Sequence, residues 1–474
     1  MTTLTIDRLS STTHGGDDSI ARRTERLLAE VAEHWLDAAI EDAGLPPGLW
    51  CVERLNVVVT LDFSRPDREL ADTWAAAVVE VLRSALNGDA VTSADTANAL
   101  VRRVHVKQRA AEAGSPITVV HFGSELRALA DLIAGIGLGR LGHAWAWRQA
   151  GLLSSGDPEP SHSPAEAIIA AARRFPQHLV TGLSRAIREV GLAPLTRALG
   201  TRGWVALATL VWEQIGGFTP SIFDGSADRP NGNRTLATML HRQSTFAAQL
   251  TNSRLRPNRE TLVALAVLSV AEQDPGALAR ADGPRLVEQV AGLLGSEAAS
   301  DKPLPLDQPT KVWSTSWAGL PFFLAAAEEA GIPELLLADP ALADRPLRWI
   351  MHALAQRLVP LAEDDPAALV LAGLHPSEPL PTEKAAPPSP SELDSLREYA
   401  AHWTTVAMLR LDREDEQLAA LELAQRQGVI EGEPGLLEVV LRLDEVNIDV
   451  RRAGLDIDPG WLPWLGAIVR YRYE

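Results

Sequence analysis

Only one cysteine, Cys51, occurs in the chain. That excludes an internal disulfide framework and a cysteine-built zinc cluster, and it fits a reducing compartment. Lysine is almost missing too, at four of 44 basic residues, so the cations are overwhelmingly planar arginines. Bases are outnumbered by 62 acids, for a formal charge of −18. A surface that negative repels phosphate backbones, and nucleic acid is not an expected partner. No apolar run of about 18 residues appears, so no direct membrane insertion is expected. The first residues lack the charged-then-apolar layout of a secretory signal, which points to the cytoplasm. HExxH, GxSxG and GxxxxGK[ST] are all missing. Catalysis, a metal and a cofactor therefore have no positive sign, and a non-enzyme is expected. What the chain does have is 474 residues, 46% of them hydrophobic and 22% charged. That is a globular composition, long enough for two to four units with their own cores.

Hydrophobic periodicity predicts a mainly α protein, built of multi-helix units with small α+β elements at the N-terminus and the C-terminus. Residues 1–18 are polar and read as a flexible arm. An α+β unit is expected over 19–150. It has a helix from Ser19 to Ile40, a strand over 50–63 with Val52, Leu55, Val57, Val59, Leu61 and Phe63 in alternation, and a helix from Pro66. A strand at Ile117–Phe122 and an apolar helix over 123–136 complete it. GLLSSGDPEPSHSPAE (151–166) reads as a break. A helical middle region is expected over 163–295, with helices at 201–216, 235–251 and 257–273 among its spans and a break at 218–234. After a further break at 296–311, a helical unit is expected over 312–375, with one helix at 314–331. A Pro-rich, mobile linker follows at 376–391. The C-terminal helical plus β unit, 392–474, is expected to hold a helix over 392–426. Strands at 436–443 and Val446–Val450 follow, then a strand at Ile468–Tyr473, which is either a partner-seeking edge strand or one that pairs with 438–450 or with 52–63.

Gly137-Leu-Gly139-Arg-Leu-Gly142 matches the dinucleotide fingerprint literally, but helical residues precede it where the mechanism needs a strand. A glycine-rich helix end or tight packing is the favoured reading. Eleven histidines are scattered; His402-Trp403 reads as core, and Asp364-Asp365 as helix capping. Tryptophan is the more telling residue, at 13 against eight phenylalanines and three tyrosines. Two clusters, Trp313-Ser-Thr-Ser-Trp317 and Trp461-Leu462-Pro463-Trp464, sit at loop junctions, where tryptophan beside arginine suits an interface as well as it suits a core. With Phe322, Phe323 and Tyr471 they form the candidate interaction set.

Three ordered stretches resemble the tape measure proteins of contractile injection systems, the phage-tail-like particles of bacteria. VERLNVVVTLDF (52–63) is similar to an early strand of that family. TSWAGLPFFLAAAEEAGI (315–332) carries Ala318, Gly319, Leu320, Phe322, Phe323 and Leu324 in the family's register. LVLAGLHPSEPLP (369–381) follows, with Leu371, Gly373, Leu374, Pro379 and Leu380. The third stretch is the C-terminus, where Glu445, Asp449, Leu462, Pro463, Trp464 and Tyr473 carry the match. The resemblance implies an assembly factor that helps set tube and sheath length and nucleate baseplate–tube assembly. The implied partners are inner tube, baseplate or spike proteins. The implied location is cytoplasmic assembly into the injection particle. The alternatives are a nucleotide-binding enzyme using Gly137–Gly142 and an unrelated helical scaffold.

Overall fold

The computed structural model describes residues 18–42, 44, 48–53, 57, 59–87, 104–106, 117–216, 234–253, 255–296, 312–383, 385–413 and 416–474. The arm expected at 1–18, apart from Asp18, and most of the breaks at 218–234 and 296–311 lie outside the described residues. The chain is mainly α, with small sheets toward either end, and it divides into two units. Unit 1 is Met1–Ala128 with Gly142–Gly151; unit 2 is Leu129–Leu141 with Leu152–Glu474.

Unit 1 opens with helix α1 (Asp18–Glu30), which runs through a wider turn at Val31–Trp35 into α2 (Leu36–Asp42). Leu27, Val31, Leu36 and Ile40 fall on one helical face and close on Leu70, Ala71, Ala75 and Val79 of α3 (Asp67–Asn87). Strands β1 (Leu49–Val52), β2 (Val104–Val106) and β3 (Ile117–Phe122) form an antiparallel sheet with β3 in the middle. The long strand expected over 50–63 stops at Val52. Its later apolar residues serve helices instead: Leu61 and Phe63 pack on the α1–α3 cluster. Asp62 folds the chain into a turn by accepting from the Ser64 N–H and hydroxyl, and Arg23 bonds the Phe63 and Arg65 carbonyls. Among the described residues, alternation thus marked one half-buried side without a strand partner. Helix α4 (Glu125–Leu138) follows, and the boundary between the units falls within it. Helix α5 (Ala144–Gln149) pairs its Gln149 amide with both backbone groups of Val52. Cys51 beside it is buried, which pushes its thiol up to about 11 and leaves it unreactive at neutral pH.

Unit 2 begins with helices α6 (Pro164–Arg174), α7 (Leu179–Val190), α8 (Leu192–Gly216), α9 (Arg234–Gln243), α10 (Thr245–Ser253), α11 (Arg259–Gln273), α12 (Gly276–Ala279) and α13 (Gly283–Ser296). Nearly every side chain from Thr261 to Ala271 is buried, which makes α11 the central helix of this layer. Gly200 kinks α8 at φ 59°, where the expected helix began. Ser244 splits the helix expected at 235–251, because its hydroxyl caps α10 through Phe246 N–H and bonds Glu272.

The second half adds β4 (Trp313–Thr315), α14 (Ile332–Ala338), α15 (Leu347–Leu358), α16 (Pro366–Leu371), α17 (Pro390–Arg410), α18 (Glu416–Ala424), β5 (Gly428–Glu433), β6 (Leu436–Leu441), α19 (Ile448–Arg452), β7 (Gly460–Leu462) and β8 (Ala467–Tyr473). Its strands form one sheet in the order β4-β5-β6-β8-β7. Four sequence expectations are corrected here. The helix expected at 314–331 is β4 and a 3-10 turn over Leu320–Ala326. Pro321 begins that turn, and Ala318 and Gly319 donate to the carbonyls of Arg426 and Ala424. The helix expected over 392–426 breaks where Asp412 takes a left-handed φ of 52°. The strand expected at Val446–Val450 is helical, because the Asn447 side chain accepts from the N–H groups of Asp449 and Val450 and caps α19. β8 is an interior strand, parallel to β6 and antiparallel to β7, so the edge reading falls and the alternative of pairing within 438–450 holds through Glu438–Leu441.

The Pro-rich stretch is also different from a free linker. Pro376 is buried, and Leu380 and Ala385 pack on the core. Arg345 donates to the carbonyls of Ala386 (2.8 Å) and Pro387 (3.0 Å) and to the Glu392 carboxylate. Glu392 in turn closes a capping box with Ser389 at the start of α17. The segment is a strap fastened at both ends. The spans expected as separate pieces at 163–295, 312–375, 376–391 and 392–474 all fall inside unit 2.

Candidate functional site

Three of the candidate interaction residues, Phe322, Phe323 and Tyr471, meet in one aromatic node in unit 2. Phe322 and Phe323 are 0% exposed, held inward by the 3-10 turn that Pro321 starts. The Trp403 ring meets Phe323 edge-on at 5.9 Å between centroids, and its indole N–H donates to the Phe323 carbonyl at 3.0 Å. Tyr471 meets Phe322 edge-on at 4.9 Å, and its hydroxyl donates to the Pro321 carbonyl at 2.7 Å. The Arg426 guanidinium lies 5.7 Å from the centre of the Phe322 ring and donates to the carbonyls of Leu423 and Glu445. Sequence reasoning did not single out Arg426. Its signal was only its type, since arginine alone combines a ring-stacking plane with several donors.

Two glycines are required by this packing. A Cβ on Gly319 would stand 2.1 Å from the Leu423 carbonyl oxygen, and one on Gly373 would stand 2.5 Å from Leu465 Cγ. Gly373 also takes a φ of 70° at the end of α16.

The tryptophan clusters divide between core and surface. Leu462 and Trp464 are buried in the unit 2 core, whereas Trp461 and Pro463 are half-buried on the β7–β8 hairpin. Trp461 stands opposite Ile468, on the sheet face away from Leu462. The Trp464 indole N–H is buried without a hydrogen-bond partner. Trp313 and Trp317 are half-buried at the edge strand β4 and pack against the same core. Of the candidate set, Trp313, Trp317, Trp461, Pro463 and Tyr471 keep some surface, and Phe322 and Phe323 keep none. The larger exposed apolar side chains of the C-terminal part lie elsewhere: Leu409 and Leu418 on α17 and α18, and Leu443, Val446, Ile448 and Ile457 in the crossover from β6 to β8. Two of them sat in the false strand at Val446–Val450, which hid them from sequence reasoning.

The titratable groups near the node are tuned by burial. Desolvation, with Asp458 as a further cause, holds the Tyr471 phenol well above its ordinary value. Tyr473 is raised for the same first reason and by its bond to Asp456. Both phenols stay neutral donors, as suits structural hydrogen bonding. His375 has its Nδ1 2.6 Å from the Ser377 hydroxyl, and the same nitrogen accepts the Ser377 N–H at 3.2 Å. That ring caps a turn, and burial lowers its pKa so that it remains uncharged at neutral pH. His402 is exposed rather than core, with Nε2 bonded to the Ala330 carbonyl at 2.9 Å, whereas Trp403 beside it is core. Asp365 caps α16 by accepting from the Ala367 N–H, as expected of the Asp364-Asp365 pair.

The GxGxxG stretch sits at the C-terminal end of α4. Gly137 lies in the helix, where a Cβ would stand 2.4 Å from Leu195, and Gly139 ends it at a φ of 69°. A pyrophosphate cradle uses a helix N-terminus, and this is the opposite end. Among the described residues no group of three or more His, Cys, Asp or Glu is placed to hold a metal ion, and no described helix is long and apolar enough to cross a membrane. Compared with known protein families, curated proteins and solved structures, the chain matches none.

Proposed function

We propose that the chain is an assembly factor of a contractile injection system, acting as its tape measure protein and helping to nucleate the junction of baseplate and tube. One observation carries the reading. The later stretches of the resemblance, Ala318–Leu324, Leu371–Leu374 and Leu462–Trp464, are far apart in sequence and pack into one core. The required glycines of the first two, Gly319 and Gly373, close that core against Leu423 and Leu465. Residues that the resemblance sets in one register also pack together, and this supports the reading.

The folded form favours a docking and nucleating role over that of an extended ruler. As one helix, 474 residues would reach roughly 700 Å. The longest described helix, α8 with 25 residues, spans roughly 38 Å and is kinked. The partners in this reading are inner tube, baseplate or spike proteins, met in the cytoplasm while the particle forms. Trp313, Trp317, Trp461, Pro463 and Tyr471 are the members of the candidate set with surface to offer them. A nucleotide-binding enzyme at Gly137–Gly142 has no comparable support, and nucleotides should leave the melting temperature unchanged.

Deleting the gene tests the proposal. Loss of particles, or tubes of uncontrolled length, is the expected outcome. Normal particles of normal length would refute it.

A further inference from the structure

We draw no further inference here: the strongest candidate, the exposed apolar side chains Leu443, Val446, Ile448 and Ile457 on the crossover between β6 and β8, carries none because nothing in the structure shows what covers them.

Discussion

Two buried indoles differ in one atom's surroundings, and that difference predicts opposite consequences for the same substitution. Trp403 is 0% exposed and its N–H donates to the Phe323 carbonyl at 3.0 Å. Trp464 is 9% exposed and its N–H has no partner. Changing either to phenylalanine removes part of a large side chain, a fraction of the about 3–5 kcal/mol that truncation to alanine costs. Beyond that shared term the two diverge. Trp403→Phe removes the donor that the Phe323 carbonyl uses, which costs about 1–3 kcal/mol. Trp464→Phe removes a desolvated donor that gains nothing from burial, which returns a similar amount. Trp403→Phe should therefore be the more destabilising by roughly 2–6 kcal/mol. At an m value of about 3 kcal/mol per molar urea, that is on the order of 1 M in midpoint. Urea unfolding followed by far-ultraviolet circular dichroism reads it. Equal midpoints, or a larger loss at Trp464, would refute the reasoning.

The remaining predictions test other contacts. Gly319→Ala places a Cβ against the backbone oxygen of Leu423, which cannot rotate away, so it should destabilise by about 1–3 kcal/mol or more and lower the melting temperature. Arg345→Ala frees the carbonyls of Ala386 and Pro387, and limited proteolysis should then cut within 376–391 before it cuts elsewhere in unit 2; an unchanged digestion pattern counts against the strap. The Arg345 guanidinium, through its hydrogen bond, holds the Glu392 carboxyl below the usual carboxylate range. A lowered folded pKa gives stability that is present above about pH 4.3 and is lost as pH falls through the lowered value, so Glu392→Gln should flatten the acid side of the stability profile. Arg472 pairs with both Glu431 and Glu438, which face each other across β5 and β6. Arg472→Ala should cost up to about 1 kcal/mol at low salt and less in 1 M salt, and an equal loss at both ionic strengths would show packing rather than charge.

The helices of the first half of unit 2 were legible because their apolar faces repeat at 3.6 residues and their ends carry chemical stops. Asn258 caps α11 by accepting from the Thr261 N–H, and the expected helix at 257–273 is found at Arg259–Gln273. The failures share a cause. At 61–63, 314–331 and 446–450 the apolar pattern was real, but a local hydrogen bond or a distant backbone decided the conformation. Asp62 and Asn447 turn the chain with their own side chains, an effect of one residue that periodicity averages away. Ala318 and Gly319 are held by carbonyls more than 100 positions downstream, which no local window contains. β5 went unread because Gly428, Glu431, Gly432 and Glu433 dilute its apolar signal, although it pairs on both sides.

The candidate site was legible as a set of residue types and illegible as a surface. Tryptophan next to arginine is the composition of an interface anchor and equally of a core node, since both bury an aromatic plane beside a desolvated cation. Only the third dimension separates them, and it does so within a single tetrapeptide. In Trp461-Leu462-Pro463-Trp464 the strand alternation sends Leu462 inward and Trp461 to the other face, and the hairpin turn then brings Trp464 back into the core. Any contact made by this corner with a partner must therefore run through Trp461 and Pro463, with Leu462 and Trp464 holding the corner in shape. Trp461→Ala isolates that surface, because it leaves the buried half of the tetrapeptide intact. In the proposed role it should keep the urea midpoint within about 1 kcal/mol of stability while reducing recovery of the protein in purified particles. Full recovery with Trp461→Ala would remove this corner from the contact surface and leave the edge at Trp313 and Trp317 to supply it.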